Sequence, residues 1–185
     1  MLLYRVLPWL RDAAPGEPGH ALYVPEPQGK GRADNRGTYN VLYLSSAPSG
    51  AVAETFGELA VWSSEMFVRP GLPRSVRALV AYDLPDEAPV FDLDDARALD
   101  ALGLRPSQVV TRDRVVTQRW ALAIYEQDRW VGVRWWSYYD PKWYSYALWD
   151  ISTLAPQRET IRPLTIDEPA VIQAAETLHR PRRAR

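Results

Sequence analysis

Residues 40–56 have the sequence Asn40-Val41-Leu42-Tyr43-Leu44-Ser45-Ser46-Ala47-Pro48-Ser49-Gly50-Ala51-Val52-Ala53-Glu54-Thr55-Phe56 and decide the fold. The first six are apolar and rich in β-formers, which predicts a buried strand over 40–45. Ser46 offers a capping hydroxyl and Pro48 suits a first helical turn, so a helix is expected over about 48–62. Its expected apolar positions, at helical spacing, are Val52, Phe56, Leu59 and Ala60.

The remaining elements follow one another without a regular βαβ repeat. Further strands are expected over residues 2–7, 77–84, 89–91, 131–139 and 144–149. Further helices are expected from the acidic residues 92–95 to Gly103, over about 112–127, and from near Asp167. Residues 13–39 are rich in Gly and Pro and are expected to form a long loop, which in a compact domain is more often functional than accidental. The pattern predicts an α/β (α+β) fold with a mixed, partly antiparallel sheet and flanking helices.

The length of 185 residues suits one domain over residues 1–185. We expect a core over about 2–150, an extension over 151–178 and a basic tail over 179–185. Pro181 should stop the tail from continuing a helix, and we expect the tail to be exposed and dispensable for catalysis. No apolar window is long enough to cross a membrane. The sequence has no cysteine, which suits a reducing cytoplasm and excludes thiol chemistry.

The charged residues do not indicate a general affinity for nucleic acid, and the type of cation is compatible with an anionic ligand. The net charge is −1, so no direct nucleic-acid or membrane partner is expected. Arginine outnumbers lysine by twenty to two, and arginine suits two-pronged binding of phosphate or carboxylate, although a GC-rich genome explains the same bias. A rival interpretation is a non-enzymatic nucleotide or nucleic-acid binding module, because aromatic residues cluster over 130–149. The alternative for that cluster is a buried aromatic hairpin.

Several common reaction types lack their residues. The two histidines, His20 and His179, do not support a histidine triad or a histidine-rich metal site. No Gly-Lys-Ser/Thr phosphate loop and no G-x-S-x-G nucleophile motif is present. The acidic residues Asp92, Asp94 and Asp95 could hold a magnesium ion, but carboxylates at this place usually cap a helix. We therefore expect no metal cofactor.

Three short segments remain as candidates for chemistry. Gly31-Arg32-Ala33-Asp34 places an arginine beside a glycine, which lets a backbone and a guanidinium approach one anion. Glu54 lies opposite the apolar helix face, either as an ordinary solvated glutamate or beside a cleft. Ser137 is a small hydroxyl among large aromatic residues, which indicates either space kept for a ligand or simply a strand end.

These segments, taken in order, resemble the RES domain family. The front half is carried by Gly31-Arg32-Ala33-Asp34, Val41-Leu42-Tyr43-Leu44-Ser45 and Ala51-Val52-Ala53-Glu54-Thr55-Phe56. The back half is carried by Gln118-Arg119-Trp120-Ala121 and Gly132-Val133-Arg134-Trp135-Trp136-Ser137, and Tyr4-Arg5-Val6 is similar to the usual opening. The match covers roughly residues 2–150, and its order is more specific than any one motif.

The resemblance implies a fold similar to the ADP-ribosyltransferase type, with a split sheet and a central cleft. It implies an enzyme that cleaves the nicotinamide–ribose bond of NAD by phosphorolysis or hydrolysis, or a mono-ADP-ribosyltransferase that modifies a protein. The implied site residues are Arg32, Tyr43, Glu54 and Ser137, with NAD as substrate, inorganic phosphate as a candidate acceptor and no metal. The implied biology is the toxin of a bacterial toxin–antitoxin pair with an Xre-type antitoxin partner.

Two positions depart from the family pattern. Ala33 stands where an aromatic residue usually follows the arginine, and Tyr138 stands where a basic residue usually follows the serine. The first departure is expected to alter stacking on nicotinamide. The second is expected to alter phosphate contacts or the choice of acceptor.

Overall fold

The computed structural model describes residues 1–68 and 71–183. Its strands are β1 (Leu2–Trp9), β2 (Leu42–Ser45), β3 (Trp62–Ser63), β4 (Val76–Asp83), β5 (Val90–Asp92), β6 (Gly132–Trp136), β7 (Tyr144–Leu148), β8 (Ala155–Pro156), β9 (Arg162–Pro163) and β10 (Arg182–Arg183). Its helices are α1 (Pro48–Phe56), α2 (Ala96–Ala101), α3 (Pro106–Val109), α4 (Arg114–Tyr125) and α5 (Pro169–Thr177), with 3₁₀ turns at Ser64–Phe67 and Arg158–Thr160.

The main sheet has the strand order β5-β6-β7-β2-β1-β4-β8, and β9 also pairs with β4. Within the described residues, β5 and β6 run parallel and every other pair of this sheet is antiparallel. The expected mixed, partly antiparallel sheet with flanking helices is therefore confirmed. β1 pairs with β4 along its whole length, but it pairs with β2 only through Tyr4 and Ser45. The sheet is consequently split into two halves that meet at one residue pair.

Two groups of helices cover one face of the sheet and leave a gap between them. α1 and α5 pack over β1 and β4, where Val52, Phe56, Val171 and Leu79 are buried together. α4 packs over β6 in a second cluster. Between the clusters, one row of paired residues crosses the split: Tyr4, Ser45, Ser145 and Trp135. The other face is buried under loop segments that carry Ala21 and Leu154.

The first helix differs from its predicted form at both ends. It ends at Phe56, not near residue 62, and the carbonyl of Gly57 just beyond it accepts a hydrogen bond from Arg180 Nη2 at 2.8 Å. Leu59 and Ala60, which were predicted on the apolar face, are exposed and lie outside the helix, whereas Val52 and Phe56 are buried as predicted. The predicted capping by Ser46 was also wrong, since its hydroxyl accepts the N–H of Tyr144 and no side chain caps α1.

The C-terminal segment is mostly exposed, as predicted, but part of it also pairs with another strand. The helix ends at Thr177, as Pro181 predicts, but β10 then pairs in parallel with β3. The N–H of Trp62 donates to the carbonyl of Pro181 at 3.0 Å. Residues up to 183 are thus part of the folded structure, although most of their side chains are exposed. The last two residues of the predicted tail lie outside the described residues.

Other expectations match the structure with small shifts of boundary. Residues 13–39 contain no helix or strand, apart from an isolated bridge between Asn35 and Tyr39. The short helix α3 was not predicted. The aromatic hairpin contributes to the core, because Trp135, Trp143 and Tyr146 are buried and most of its other aromatic residues are partly buried. No helix in residues 1–68 and 71–183 is both long and apolar enough to cross a membrane.

Candidate active site

A cavity of about 310 Å³ lies over the split of the sheet, in the gap between the two helix groups. Its floor is the row Tyr4, Ser45, Ser145 and Trp135 that crosses four strands. α1 forms one wall, with Glu54 and Thr55, and the long loop forms the facing wall with Gly31 and Arg32. α1 lies close to β2 at Gly50. A side chain at this position would prevent the close approach, because a Cβ there would lie 2.3 Å from the Ser45 hydroxyl.

Two buried hydroxyl groups hold the Glu54 carboxylate. Ser137 Oγ donates to Glu54 Oε1 at 2.7 Å, and Ser145 Oγ donates to the same oxygen at 3.2 Å. Ser137 and Ser145 are 3% and 5% exposed, whereas Glu54 is exposed and lines the cavity. The carboxylate is therefore fixed from the protein side and open to the cavity. Of the two interpretations of Glu54, the structure favours the cleft.

Arg32 faces the cavity from a held position. Its Nη1 donates to the carbonyls of Val109 at 2.6 Å and Thr111 at 2.7 Å, and its guanidinium lies 6.0 Å from the ring centre of Trp135. Burial lowers the pKa of Arg32 to about 10, and the nearby charge of Arg114 acts in the same direction. The guanidinium therefore stays cationic at neutral pH, with its orientation set by two backbone carbonyls.

Tyr43 is tied to the Arg32 loop through a buried aspartate. Its hydroxyl donates to Asp34 Oδ1 at 2.6 Å and accepts the N–H of Ala33 at 2.9 Å. Asp34 Oδ2 accepts the N–H groups of Gly29 at 2.8 Å and Gly31 at 2.7 Å. Burial, and then the bond to Asp34, raises the pKa of Tyr43, so its hydroxyl stays neutral. A Cβ at Gly31 would lie 2.3 Å from that hydroxyl, so the loop needs glycine there.

The structure brings the four predicted site residues to one place but gives them unequal positions. Arg32, Tyr43 and Glu54 line the cavity. Ser137 lies just beyond β6 and behind Glu54, where its hydroxyl also accepts the N–H of Tyr139 at 3.1 Å. Its immediate partner is therefore the carboxylate and not the open space of the cavity.

The two positions that depart from the family pattern lie away from the cavity. Ala33 is fully buried in the cluster beneath α4, so a larger side chain there would meet the core. Tyr138 is 61% exposed, and the guanidinium of Arg112 lies over its ring at 5.2 Å. In this chain the loop after β6 is thus linked to the segment that precedes α4.

The predicted acidic cluster is engaged in local structure. Asp95 caps α2 by accepting the N–H of Arg97, as the sequence indicated. Asp92 pairs with Arg134, and Asp94 accepts the hydroxyl of Tyr144 at 2.6 Å. Across residues 1–68 and 71–183, no group of three or more His, Asp or Glu side chains could hold a metal ion.

Sequence reasoning missed three residues of the site. Asp34 received no predicted role, although an aspartate next to glycines in a loop commonly binds backbone N–H groups. Ser145 follows from strand alternation once β7 is paired with β6, because it then faces Trp135. Arg114 carries no signal in the sequence, since only the packing of α4 brings it to the cavity.

Comparison with known proteins places the chain in a family. The model of the RES domain matches residues 2–171. The chain belongs to the RES domain family. No curated protein sequence matches this RES domain chain. A chain of the crystal structure of the M. tuberculosis MbcT–MbcA toxin–antitoxin complex is similar in fold, with a TM-score of 0.63 and 18% sequence identity. The match covers 96% of this chain and 88% of that one.

Proposed function

We propose that this RES domain protein degrades NAD by cleaving the bond between nicotinamide and ribose. The observation that carries the proposal is the Glu54 carboxylate, held by two buried serines and open to a cavity whose other wall is the Arg32 guanidinium. A negative and a positive group that face the same small cavity match a substrate with a cationic reacting end and an anionic diphosphate. NAD has both features.

The chemistry needs little more than placement and charge. Nicotinamide in NAD is already a cationic leaving group, so the bond can break without strong general-acid help. The transition state resembles an oxocarbenium ion, which a fixed carboxylate stabilises. Glu54 supplies that carboxylate, and its free oxygen can hold the ribose hydroxyls. Ser137 and Ser145 act as positioning residues, because their bonds to Oε1 set the direction of the carboxylate.

The other residues of the cavity bind the substrate. Arg32 has one guanidinium nitrogen on backbone carbonyls and presents the remaining N–H groups for charge-assisted bonds to a phosphate. The hydroxyl of Tyr43 is engaged by Asp34 and Ala33, so the ring of Tyr43 is what packs against nicotinamide or its ribose. No step of this mechanism is assigned to a metal.

Once the bond to nicotinamide is broken, one of three acceptors can take the ADP-ribosyl group. Attack by inorganic phosphate would be phosphorolysis, attack by water would be hydrolysis, and attack by a side chain would be mono-ADP-ribosylation of a protein. We propose degradation by phosphate or water, because the cavity is small and its reactive carboxylate lies against the floor of the sheet.

The biological setting that we propose is a toxin of a bacterial toxin–antitoxin pair that acts in the cytoplasm. Membership of the RES domain family and the likeness to a chain of the MbcT–MbcA toxin–antitoxin complex support this setting. The partner would be an Xre-type antitoxin. Expression of the wild-type chain should then stop the growth of a host cell, and Glu54→Gln should relieve the harm.

The test is incubation of the purified protein with NAD while free nicotinamide is measured. Parallel reactions with and without inorganic phosphate identify the acceptor: a phosphorylated ADP-ribose indicates phosphate, and free ADP-ribose indicates water. If NAD labelled in its ADP-ribose part gives a labelled protein band and no free ADP-ribose, the acceptor is a protein. We expect NAD loss to continue in the presence of a chelator. If no nicotinamide is released under any of these conditions, the proposed activity is wrong.

A further inference from the structure

A second arginine lies at the rim of the cavity, at the start of α4. Arg114 lines the cavity, and its side chain is exposed there. Its Nε donates to the carbonyl of Lys30 at 3.1 Å, which fixes the direction of the side chain and leaves both terminal nitrogens for other partners. The backbone N–H groups at this end of α4 are bound by the Asp113 side chain, so the side chain of Arg114 is what faces a ligand.

The loop residues 29–31, which face Arg114, are hydrogen-bonded to the same helix, α4. Gln118 lies one turn along from Arg114 and therefore on the same side of α4. Its Nε2 donates to the carbonyls of Gly29 at 3.1 Å and Gly31 at 3.0 Å. α4 thus grips three successive residues of the loop that carries Arg32. The positions of Arg114 on α4 and Arg32 on the loop are consequently fixed relative to each other by these hydrogen bonds.

Arg32 and Arg114 are a pair of like charges, and neither guanidinium forms an ion pair among the described residues. The charge of Arg114 is near enough to lower the pKa of Arg32. Two cations held together in this way repel each other, and the repulsion is relieved when an anion with more than one charge binds between them.

We infer that Arg114 is a second phosphate-binding residue, which together with Arg32 holds the diphosphate of the substrate. The inference rests on the proposed function for its substrate and on the geometry of the rim for its residue. A cavity of about 310 Å³ is at the lower end for ligand pockets, so a dinucleotide must extend past the rim. Arg114 stands there, and a guanidinium fork matches phosphate oxygens.

The experiment compares Arg114→Ala, Arg114→Lys and Arg119→Ala with the wild type. Arg119 is a matched control, because it is exposed on the same helix about 140° around the axis from Arg114. Steady-state NAD cleavage should show a KM raised about tenfold or more in Arg114→Ala, with kcat within about twofold of wild type. Arg114→Lys should lie between the two because it keeps the charge and loses the fork. Arg119→Ala should match wild type.

Titration calorimetry with ADP separates this inference from the proposed activity, because ADP carries the diphosphate without nicotinamide. Wild type should bind ADP about tenfold or more tightly than Arg114→Ala, and added salt should narrow the difference. If wild type cleaves NAD but Arg114→Ala keeps the wild-type KM and ADP affinity, the role of Arg114 is refuted and the activity stands. If wild type binds ADP through Arg114 but does not cleave NAD, the activity is refuted and the site stands. If wild type does neither, both are refuted.

Discussion

Glu54→Gln should separate the chemistry of the cavity from its shape. Ser137 and Ser145 both donate to Glu54 Oε1, and the amide oxygen of glutamine can accept both of these bonds in the same place. The amide nitrogen then takes the place of Oε2. The variant should fold like the wild type and bind NAD with similar affinity, because the arginines that hold the phosphates are unchanged.

The size of each effect follows from these contacts. The two hydrogen bonds lose their charge assistance, which costs about 1–2 kcal/mol of unfolding free energy at most. The loss of one electrostatic stabiliser of the transition state lowers kcat by about 10²-fold or more, which corresponds to about 2.7–4 kcal/mol. A change that is small for folding and large for turnover is therefore expected.

The assay is nicotinamide release under saturating NAD, with thermal unfolding of the same samples. Glu58→Gln is the matched control, since Glu58 is exposed just beyond α1 and should tolerate the change within about 0.5 kcal/mol, without loss of rate. A well-folded Glu54→Gln protein that releases nicotinamide at the wild-type rate would refute the catalytic role of the carboxylate. Equal losses in both variants would point to an indirect effect on the helix end.

Three further outcomes are expected. Ser137→Ala removes the shorter hydroxyl bond to Glu54 and should lower kcat about tenfold or more with little change in KM, in the same nicotinamide assay; an unchanged kcat would remove its positioning role. As pH rises through about 10, Arg32 loses its proton and its charge, so kcat/KM should fall there, whereas a flat profile would contradict phosphate binding by Arg32. Burial, and then the charge of Arg158, lowers the pKa of His20 from its usual 6.5, so the folded state favours the neutral ring. The contribution of His20 to stability should therefore be fully present above pH 6.5 and should decrease as the pH falls below that value, as measured by thermal unfolding. His20→Gln should weaken this pH dependence, and equal pH profiles of the two proteins would show that another group is responsible.

The fold was predictable wherever local pattern and packing agree. The apolar run over residues 40–45 is followed by a proline at the first helical position, and β2 and α1 form there. The end of α1 was predicted too late, and at that end the Gly57 carbonyl bonds Arg180, which comes from a distant part of the sequence and is invisible to local pattern. The pairing of β10 with β3 is long-range in the same way, and the basic composition of the segment says nothing of it.

The candidate site, like the fold, was predictable only where the local sequence pattern decides the outcome. Residue types alone left Glu54 as either a solvated or a cleft residue, because a helical pattern gives the face on which a residue lies but not what covers that face. The decision came from Ser137 and Ser145, which reach Glu54 only after β6, β7 and α1 are brought together. The role of Ser137 as a support for the carboxylate could not be inferred from the strand pattern, which gives the side of a strand but not the partner.

The split in the sheet has a consequence for motion. β1 remains bound along its length to β4, and β2 remains bound to β7, whether or not the pair of Tyr4 and Ser45 stays closed. Opening there would break one pair of the ladder, but it would also separate residues of a single buried cluster on the opposite face, which contains Leu3 and Leu7 of β1 and Leu42 and Leu44 of β2. Motion between the two halves is therefore limited by side-chain packing more than by strand pairing, and a bound ligand that spans the two halves would add a connection that the backbone ladder lacks.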